Sequence, residues 1–227
     1  MTKLKAPKAV LFDMDGVLIN SMPMHVQAWT KLYNKYDIKT TEEYLYSEEG
    51  RVGKKAIAKL FLEQKNRILT DEEMDSIYNE KKVDVMNNYP RPPRMEGMLE
   101  FVKIVKASGC AVSIVTGSGQ STLLNIIDEY YPGCFDASQM VTASDVKHGK
   151  PQPEPYLMGA QKHGVAPQDA FVVENAPLGT TAGKAAGCFV LGLNSGKLTD
   201  ELLYENGADI VVKTAAQLCE WWKNNVI

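Results

Sequence analysis

The sequence has no marked excess of charge of either sign and no long apolar run. Its 227 residues carry 25 Lys and Arg against 28 Asp and Glu, a formal net charge of −3. This balance gives no basic surface of the kind that attracts nucleic acids or anionic membranes. No stretch approaches the ~20 apolar residues of a membrane-spanning helix. We therefore expect neither a nucleic-acid nor a membrane partner, and a few local cations or a metal must bind any anionic substrate.

Cysteine is scarce and scattered. The four cysteines have neither zinc-ligand nor redox spacing and are Cys110, Cys134, Cys188 and Cys219. Buried thiols in a reducing compartment are the simplest interpretation. The apolar run near the N-terminus is too short for a signal peptide and contains Asp13. These absences predict a cytoplasmic protein, while 44% hydrophobic residues suffice for a full core.

Most of the chain alternates between strand-like and helix-like segments. Strands are predicted at 10–12, 110–115, 140–142, 170–173, 188–193 and 208–212. Helices are predicted between them at 97–107, 121–130, 154–163, 180–186 and 215–224. Strands separated by helices predict a parallel sheet with right-handed crossovers and helices on both faces.

Residues 21–92 interrupt this alternation. This region is predicted to be helical. It has helical spacing at 24–36, 54–64 and 70–87, a further helix start at Thr40 or Thr41, and no strand-like run. A proline-rich stretch at 89–94 returns the chain. We predict an α/β fold with a Rossmann-like parallel-sheet core, residues 1–20 and 93–227, and an inserted α-helical cap domain, residues 21–92.

Unusual polar residues follow the predicted strands. Ligands of open parallel sheets bind beyond the carboxyl ends of the strands, so these residues are expected at one rim. They are Asp13 and Asp15, the run Thr116, Gly117 and Ser118, then Lys150, and finally Glu174 and Asn175.

The types of these residues suit phosphoryl chemistry with a metal. Asp13 and Asp15 repel each other unless a cation or a shared proton compensates, although a solvated surface turn is the simpler alternative. Carboxylate and amide oxygens are ligands that Mg²⁺ prefers, so a magnesium site is predicted at Asp13, Asp15, Glu174 and Asn175. A hydroxyl, backbone amides at a helix N-terminus and an ammonium suit a phosphoryl group, so Thr116, Gly117, Ser118 and Lys150 form the predicted phosphate site.

Four segments in chain order carry a family resemblance. They are Phe-Asp-Met-Asp-Gly-Val, Val-Thr-Gly-Ser, Gly-Lys-Pro-Gln-Pro-Glu-Pro-Tyr and Val-Glu-Asn-Ala-Pro-Leu-Gly. In this order they resemble the four motifs of the haloacid dehalogenase superfamily. The match spans nearly the whole chain, and the subgroup resembled is the β-phosphoglucomutase-like phosphatases and mutases. The resemblance implies that Asp13 is the nucleophile and that Asp15 is the general acid and base, whose backbone carbonyl also binds the metal.

The resemblance also assigns the other rim residues. Thr116 and Lys150 would hold the phosphoryl oxygens, and Glu174 and Asn175 would anchor Mg²⁺ directly or through water. Relatives often carry an acid where this chain has Asn175. An amide oxygen still binds Mg²⁺, with one negative charge fewer at the site.

In the cap, the resemblance points to two residues that face the substrate in mutases. His25 and Lys81 match a histidine and a lysine of that kind. A surface or packing histidine and a solvated lysine are the alternatives, and the neighbouring Lys82 leaves the lysine assignment open by one residue.

The cap loop at 47–54 differs from the mutase pattern. Mutases place a phosphate-binding arginine three residues after the loop glycine, where this chain has Gly53; Arg51 or Lys54 are the candidate substitutes. Glu49 in the same loop could face the core site and bind a second Mg²⁺ or its water, although a solvated loop acid is the simpler interpretation. A carboxylate there would suit a small, metal-chelated substrate such as inorganic pyrophosphate.

These inferences predict a Mg²⁺-dependent phosphatase that works through an aspartyl-phosphate. Its substrate would be a small phosphorylated metabolite, either a sugar phosphate or pyrophosphate. One alternative is a β-phosphoglucomutase that interconverts β-glucose 1-phosphate and glucose 6-phosphate. A second is a catalytically silent binding or regulatory protein on the same fold. The sequence does not determine the oligomeric state, which is a monomer or an unknown oligomer.

Overall fold

A parallel sheet forms the centre of the computed structural model, which describes residues 3–118 and 126–226. Its strands are β1 (Ala9–Phe12), β2 (Ala111–Ile114), β3 (Ala170–Glu174), β4 (Phe189–Leu193) and β5 (Ile210–Val212). They pair in the order β2-β1-β3-β4-β5, and every pair is parallel. The central strands are short apolar runs because both of their faces are covered. The predicted fold class is confirmed.

Helices cover both faces of the sheet. One face carries α5 (Met98–Ala107), α6 (Ile127–Tyr130) and α10 (Ala215–Asn225), and the other carries α7 (Glu154–Lys162), α8 (Pro177–Ala185) and α9 (Asp200–Glu205). Alternation along β1 sends Val10 and Phe12 to the first core and Ala9 and Leu11 to the second. This sandwich leaves the carboxyl edge of the sheet for polar residues.

The inserted segment folds as helices around its own apolar core. It contains α1 (Met22–Lys35), α2 (Glu42–Ser47), α3 (Gly53–Lys65) and α4 (Asp71–Asn88). Thr41 caps α2, and Thr70 forms a reciprocal capping box with Glu73 at the start of α4. These helices lie within the predicted cap, whose boundaries at 21 and 92 stay a prediction.

Four sequence-based expectations need comment. The strand predicted at 140–142 is wrong, because Val141 makes only a single parallel bridge to Val115. The helix predicted at 180–186 begins earlier, at Pro177, where proline suits the first helical position. The helix α9 and two short 3₁₀ turns, Ala137–Gln139 and Pro167–Asp169, were not predicted. Of the helix predicted at 121–130, residues 121–125 lie outside the described residues.

Two further expectations concern the cysteines and membrane-spanning helices. All four cysteines are free and buried, as expected of packing thiols. Within the described ranges, the helices are all too short or too polar to cross a membrane.

Candidate active site

The two aspartates after β1 are buried at the carboxyl edge of the sheet. Asp13 is 3% exposed and Asp15 is 9% exposed, so the alternative of a solvated surface turn is wrong. The amide of Asp13 donates to the Val173 carbonyl at 3.0 Å and continues the pairing of β1 with β3. Gly16 then turns the chain at φ +75, and a Cβ atom there would lie 2.0 Å from Asn175 Nδ2. Glycine is therefore required for the aspartates and Asn175 to approach each other.

Lys150 connects the first and third strands through its ammonium group. Its Nζ donates to a carboxylate oxygen of Asp13, to Glu174 Oε1 at 2.5 Å and to the Val115 carbonyl at 3.1 Å. The ammonium also lies 5.0 Å from the ring centroid of Tyr156, whose hydroxyl donates to Glu174 Oε1 at 2.5 Å. The structure thus brings these segments together at one rim, as the sequence predicts.

The charge of this cluster is not balanced by the lysine alone. Burial, with the repulsion of Glu174 and Asp15 added, raises the pKa of Asp13 to about 8 despite the attraction of Lys150. The carboxylates in turn raise the pKa of Lys150 although its burial opposes this. A site with excess buried negative charge favours an additional cation.

The oxygens left available fit a magnesium ion. Asn175 Oδ1 and Glu49 Oε1 are buried without a hydrogen-bond partner. Both oxygens of Glu174 are already used, Oε1 by Lys150 and Tyr156 and Oε2 by the amide of Asn175 at 3.0 Å. In the described part of the chain, no three His, Cys, Asp or Glu side chains are arranged to chelate a metal. The two unpartnered oxygens are of the kind that Mg²⁺ binds, and this ion usually takes one or two carboxylates and completes its shell with water and substrate phosphate.

The predicted phosphate site lies beyond β2. Thr116 is buried, its amide donates to the Val141 carbonyl at 2.9 Å, and its hydroxyl accepts from the amide of Ser118 at 3.0 Å. A Cβ atom on Gly117 would lie 2.5 Å from the Gly50 carbonyl oxygen, so the cap loop rests directly on this turn. The predicted helix start after Ser118 lies outside the described residues.

On the cap side, His25 reaches Asp15, and Lys81 contacts the other nitrogen of the same imidazole. His25 Nε2 lies 3.4 Å from Asp15 Oδ1, and His25 Nδ1 lies 2.9 Å from Lys81 Nζ. Both residues are buried, so the surface alternatives are wrong. Lys82 is half-buried and instead lies over the Tyr78 ring, which resolves the one-residue ambiguity in favour of Lys81.

Asp15, His25 and Lys81 lie in a row, and their burial and charges determine the direction of the hydrogen bonds between them. Burial and the neighbouring Lys81 lower the pKa of His25, which favours the neutral imidazole. Lys81 then donates to Nδ1, and the Nε2 hydrogen points toward Asp15. Burial alone would raise the pKa of Asp15, but hydrogen bonds from His25 and Ser21 hold it below its usual value.

Glu49 is buried against the core, so its interpretation as a solvated loop acid is wrong. It is 9% exposed, and its Oε2 accepts from Asn175 Nδ2 at 2.7 Å. Burial, reinforced by the negative charges of Asp13, Asp15 and Glu174, raises its pKa well above the usual range. The cap therefore adds a further carboxylate to an already acidic site.

Gly53 stands where mutases carry the arginine, and there is no free space for a side chain at this position. A Cβ atom on Gly53 would lie 2.3 Å from Tyr78 Cε2, so the tyrosine ring occupies that space. Arg51 lines the cavity but is paired with Glu48, which also accepts from Lys59 at 2.9 Å. Lys54 pairs with Asp75 at the surface, 2.6 Å away.

A cavity of about 90 Å³ separates the core from the cap. A water molecule needs roughly 10–15 Å³ of such space, so the cavity holds several waters. Its cap wall is aromatic as well as charged and includes Trp29, Tyr33 and Tyr78. The shape suits a small substrate with a phosphoryl group at the core end.

Three site residues were missed by sequence reasoning. Ser21 donates to Asp15, Tyr156 holds Glu174, and Trp29 lines the cavity. Tyr156 ends the Gly-Lys-Pro-Gln-Pro-Glu-Pro-Tyr segment, which is the sequence signal that identifies it. Trp29 was interpreted as part of a helix face that packs inward, since helical spacing does not separate a core from a cavity wall.

Comparison with known proteins gives consistent matches over most of the chain. The sequence pattern of the haloacid dehalogenase-like hydrolases matches residues 10–193. Hexitol phosphatase A of Escherichia coli strain K12 is 31% identical over 213 residues, which are 93% of this chain and 93% of that protein. The beta-phosphoglucomutase of Mycobacterium bovis is 25% identical and covers 93% of this chain and 91% of its own.

A solved structure agrees with the fold and its cap. It is a protein of Bacteroides vulgatus proposed to be a beta-phosphoglucomutase, with a TM-score of 0.89 and 41% identity. The alignment covers 96% of this chain and 88% of that one.

Proposed function

The chain belongs to the haloacid dehalogenase-like hydrolase family, and on that premise we propose that it is a Mg²⁺-dependent phosphatase that forms an aspartyl-phosphate on Asp13. Asp13, the backbone carbonyl of Asp15 and the amide oxygen of Asn175 would hold the metal, with Glu174 acting through water. Bound there, Mg²⁺ would neutralise charge on the phosphoryl oxygens.

Two steps at phosphorus account for the roles of the aspartates. Before the first step, a cation at the site would favour ionised Asp13, and the negative charge of the bound phosphoryl group would raise the pKa of Asp15 so that it carries a proton. In the first step, Asp13 attacks phosphorus while the bond to the leaving oxygen breaks and Asp15 gives that oxygen its proton. In the second, water attacks the same phosphorus, Asp15 takes its proton, and the bond to Asp13 breaks to release orthophosphate. Lys150 and Thr116 steady the phosphoryl oxygens throughout.

The neighbours of Asp15 support its part in proton transfer. His25, oriented by Lys81, and the hydroxyl of Ser21 both donate toward its carboxylate. Donors of this kind fix the direction of the carboxylate and stabilise its ionised form between the two steps. The cap residues His25 and Lys81 thus assist from the substrate side of the cavity.

We propose inorganic pyrophosphate as the substrate, and the observation that carries this choice is the buried carboxylate of Glu49. It lies against Asn175 with one oxygen unpartnered. Because burial and neighbouring carboxylates raise its pKa, this carboxyl ionises only beside a cation. Pyrophosphate, bound as a metal chelate, brings such a cation, whereas a bare sugar phosphate does not.

A sugar phosphate is the second candidate, favoured by the aromatic wall. Trp29 stacks on Tyr33 with ring centroids 5.2 Å apart and lines the cavity, a surface on which a sugar ring could pack. The hexitol phosphatase relative supports this class. Mutase activity has less support, because Tyr78 occupies the space an arginine at Gly53 would need.

Phosphate release tests these assignments. We expect Mg²⁺-dependent release from pyrophosphate to exceed release from hexose and hexitol phosphates, and both to exceed coupled conversion of β-glucose 1-phosphate. Glu49→Gln should lower kcat/KM for pyrophosphate by about 10- to 100-fold, as loss of an outer metal-site group does. It should leave sugar phosphates unchanged or improved.

Glu48→Gln is the matched control, since the adjacent carboxylate pairs with Arg51 and Lys59 rather than with Asn175. It should alter both substrate classes equally and weakly. Equal losses for both classes in Glu49→Gln would overturn the pyrophosphate assignment. Mutase turnover above all phosphate release would overturn the hydrolase.

A further inference from the structure

Four consecutive residues after β4 contact the catalytic loop and the cap in turn. We call Ser195, Gly196, Lys197 and Leu198 the strap. The Ser195 hydroxyl donates to the carbonyl of Gly16 at 2.6 Å, directly after Asp15. Leu198 is 8% exposed and belongs to the apolar core of the cap, although its chain segment comes from the catalytic core.

The middle of the strap supports the helix that leads to Glu49. A Cβ atom on Gly196 would lie 2.9 Å from Tyr46 Cδ1, so backbone and ring are in close contact. Tyr46 lies in the last turn of α2 and is 7% exposed. Its carbonyl accepts from the amide of Glu49 at 3.3 Å. The position of Tyr46 therefore sets the position of the Glu49 backbone.

The strap is itself fixed to the sheet. Asn194, 4% exposed at the end of β4, donates through Nδ2 to the Leu198 carbonyl at 2.8 Å and to Asp200 Oδ1 at 2.6 Å. Its amide donates to the Val212 carbonyl of β5 at 2.8 Å. The exposed pair of Lys197 with Glu42 adds little, because solvent screens it. The apolar and backbone contacts are the ones that bear on the cap.

We propose that the strap is a positioning element: Leu198 and Gly196 hold α2 against the core so that Glu49 reaches Asn175 in the closed site. Where it concerns catalysis, this inference rests on the proposed role of Glu49. The same turn contacts Gly16 and the cap, so one rigid segment sets the distance between the aspartate loop and the cap wall.

Leu198→Ala tests the strap by hydrogen exchange and by kinetics. We expect the amides of α2 and residues 48–50 to exchange about tenfold faster, with those of β1 and β3 unchanged. We expect kcat/KM for pyrophosphate to fall about tenfold, mainly through KM. Leu60→Ala, the same truncation inside the cap on α3, is the control for general loosening. It should not change exchange at 48–50 selectively.

A double-mutant cycle separates positioning from general destabilisation. In a Glu49→Gln background, Leu198→Ala should cost almost nothing further in kcat/KM, because the group it positions is gone. Equal losses in both backgrounds, or unchanged exchange at 48–50, would overturn the proposal. If Leu198→Ala fails to fold, Gly196→Ala gives the same test, since its methyl group displaces Tyr46.

The two proposals can fail separately. If the wild-type protein releases no phosphate from any substrate tested, the proposed function is wrong while the exchange measurement still decides the strap. If phosphate is released and the exchange pattern does not change, the strap proposal is wrong and the function stands.

Discussion

The core and the cap build opposite walls of one cavity by different physical means. On the core wall, Asp13 and Glu174 lie directly at strand ends, and Lys150 bridges them. Backbone pairing within the sheet sets these positions. On the cap wall, Glu49, His25 and Lys81 come from a loop and two helices and are oriented by contacts with each other and with the core.

The two walls also treat charge differently. The core gathers carboxylates around one fully paired lysine, and the excess negative charge suits a metal. The cap buries Lys81, whose pKa falls to about 8 because burial penalises its charge. Under the proposed function, the core residues carry the chemical step, and the cap residues orient Asp15 and distinguish substrates. Changing one group on each wall should therefore alter activity and stability in different proportions.

Asp13→Asn, on the core wall, should have the largest effect on turnover. Removing a covalent nucleophile can cost on the order of 10⁶-fold in kcat, so we expect turnover to fall by at least about 10⁴-fold. Circular dichroism and thermal unfolding should show an intact fold. A silent binding protein would behave differently: it would show no turnover to lose, and its ligand affinity would change little. Retention of more than a tenth of wild-type turnover would remove Asp13 as nucleophile.

Lys150→Met should come next and should affect both activity and stability. Asp13 and Glu174 would remain buried without their shared ammonium, and breaking a buried pair in this way costs about 3 kcal/mol in the free energy of unfolding. Loss of a preorganised donor to the phosphoryl group should lower kcat by about 10²- to 10³-fold. Urea unfolding and steady-state kinetics measure the two effects. An unchanged unfolding midpoint would contradict the buried-pair geometry.

Lys81→Met should have the smallest effect of the three on activity and the opposite effect on stability. Without Lys81, His25 loses the donor to Nδ1, and misorientation at a reacting group costs up to about 10²-fold. Burial of the charged lysine disfavours folding, so at pH 7 the variant should gain roughly 1–3 kcal/mol in unfolding free energy.

The pH dependence of that gain has a definite sign. The pKa of Lys81 is about 8 in the folded protein and near 10.5 when unfolded. The unfolded chain therefore binds more protons between these values, and wild-type stability from this group rises with pH. The advantage of Lys81→Met should be full below about pH 8 and shrink toward pH 10.5. A constant advantage across that range would contradict the depressed pKa.

The sequence predicts the core better than the cap for a physical reason. Strand ends follow from apolar runs, and parallel pairing brings Asp13, Thr116 and Glu174 to one edge whatever the details of packing. The burial of Glu49 depends on how α2 packs against the core, which no local pattern encodes. The same holds for Gly53, whose contact with Tyr78 depends on how α3 packs against α4.

Local sequence patterns are also insufficient where strand formation depends on how many neighbouring strands are available for pairing. The apolar residues 140–142 resemble a strand, yet Val141 has a bridge to Val115 alone and cannot extend the sheet. The family resemblance, rather than periodicity, drew attention to His25 and Lys81. Their arrangement in a row with Asp15 became visible only in three dimensions.

One contact of the cap loop with the core is made through main-chain atoms: the carbonyl of Gly50 lies against Gly117, where a Cβ would lie 2.5 Å from the oxygen. Main-chain atoms are common to every residue type, so this contact is indifferent to the side chains around it. Mutation can therefore exchange the side chains of the cap wall one at a time while the cap still closes. At this contact only the missing side chain of Gly117 matters, so closure here does not constrain the side chains that face the substrate.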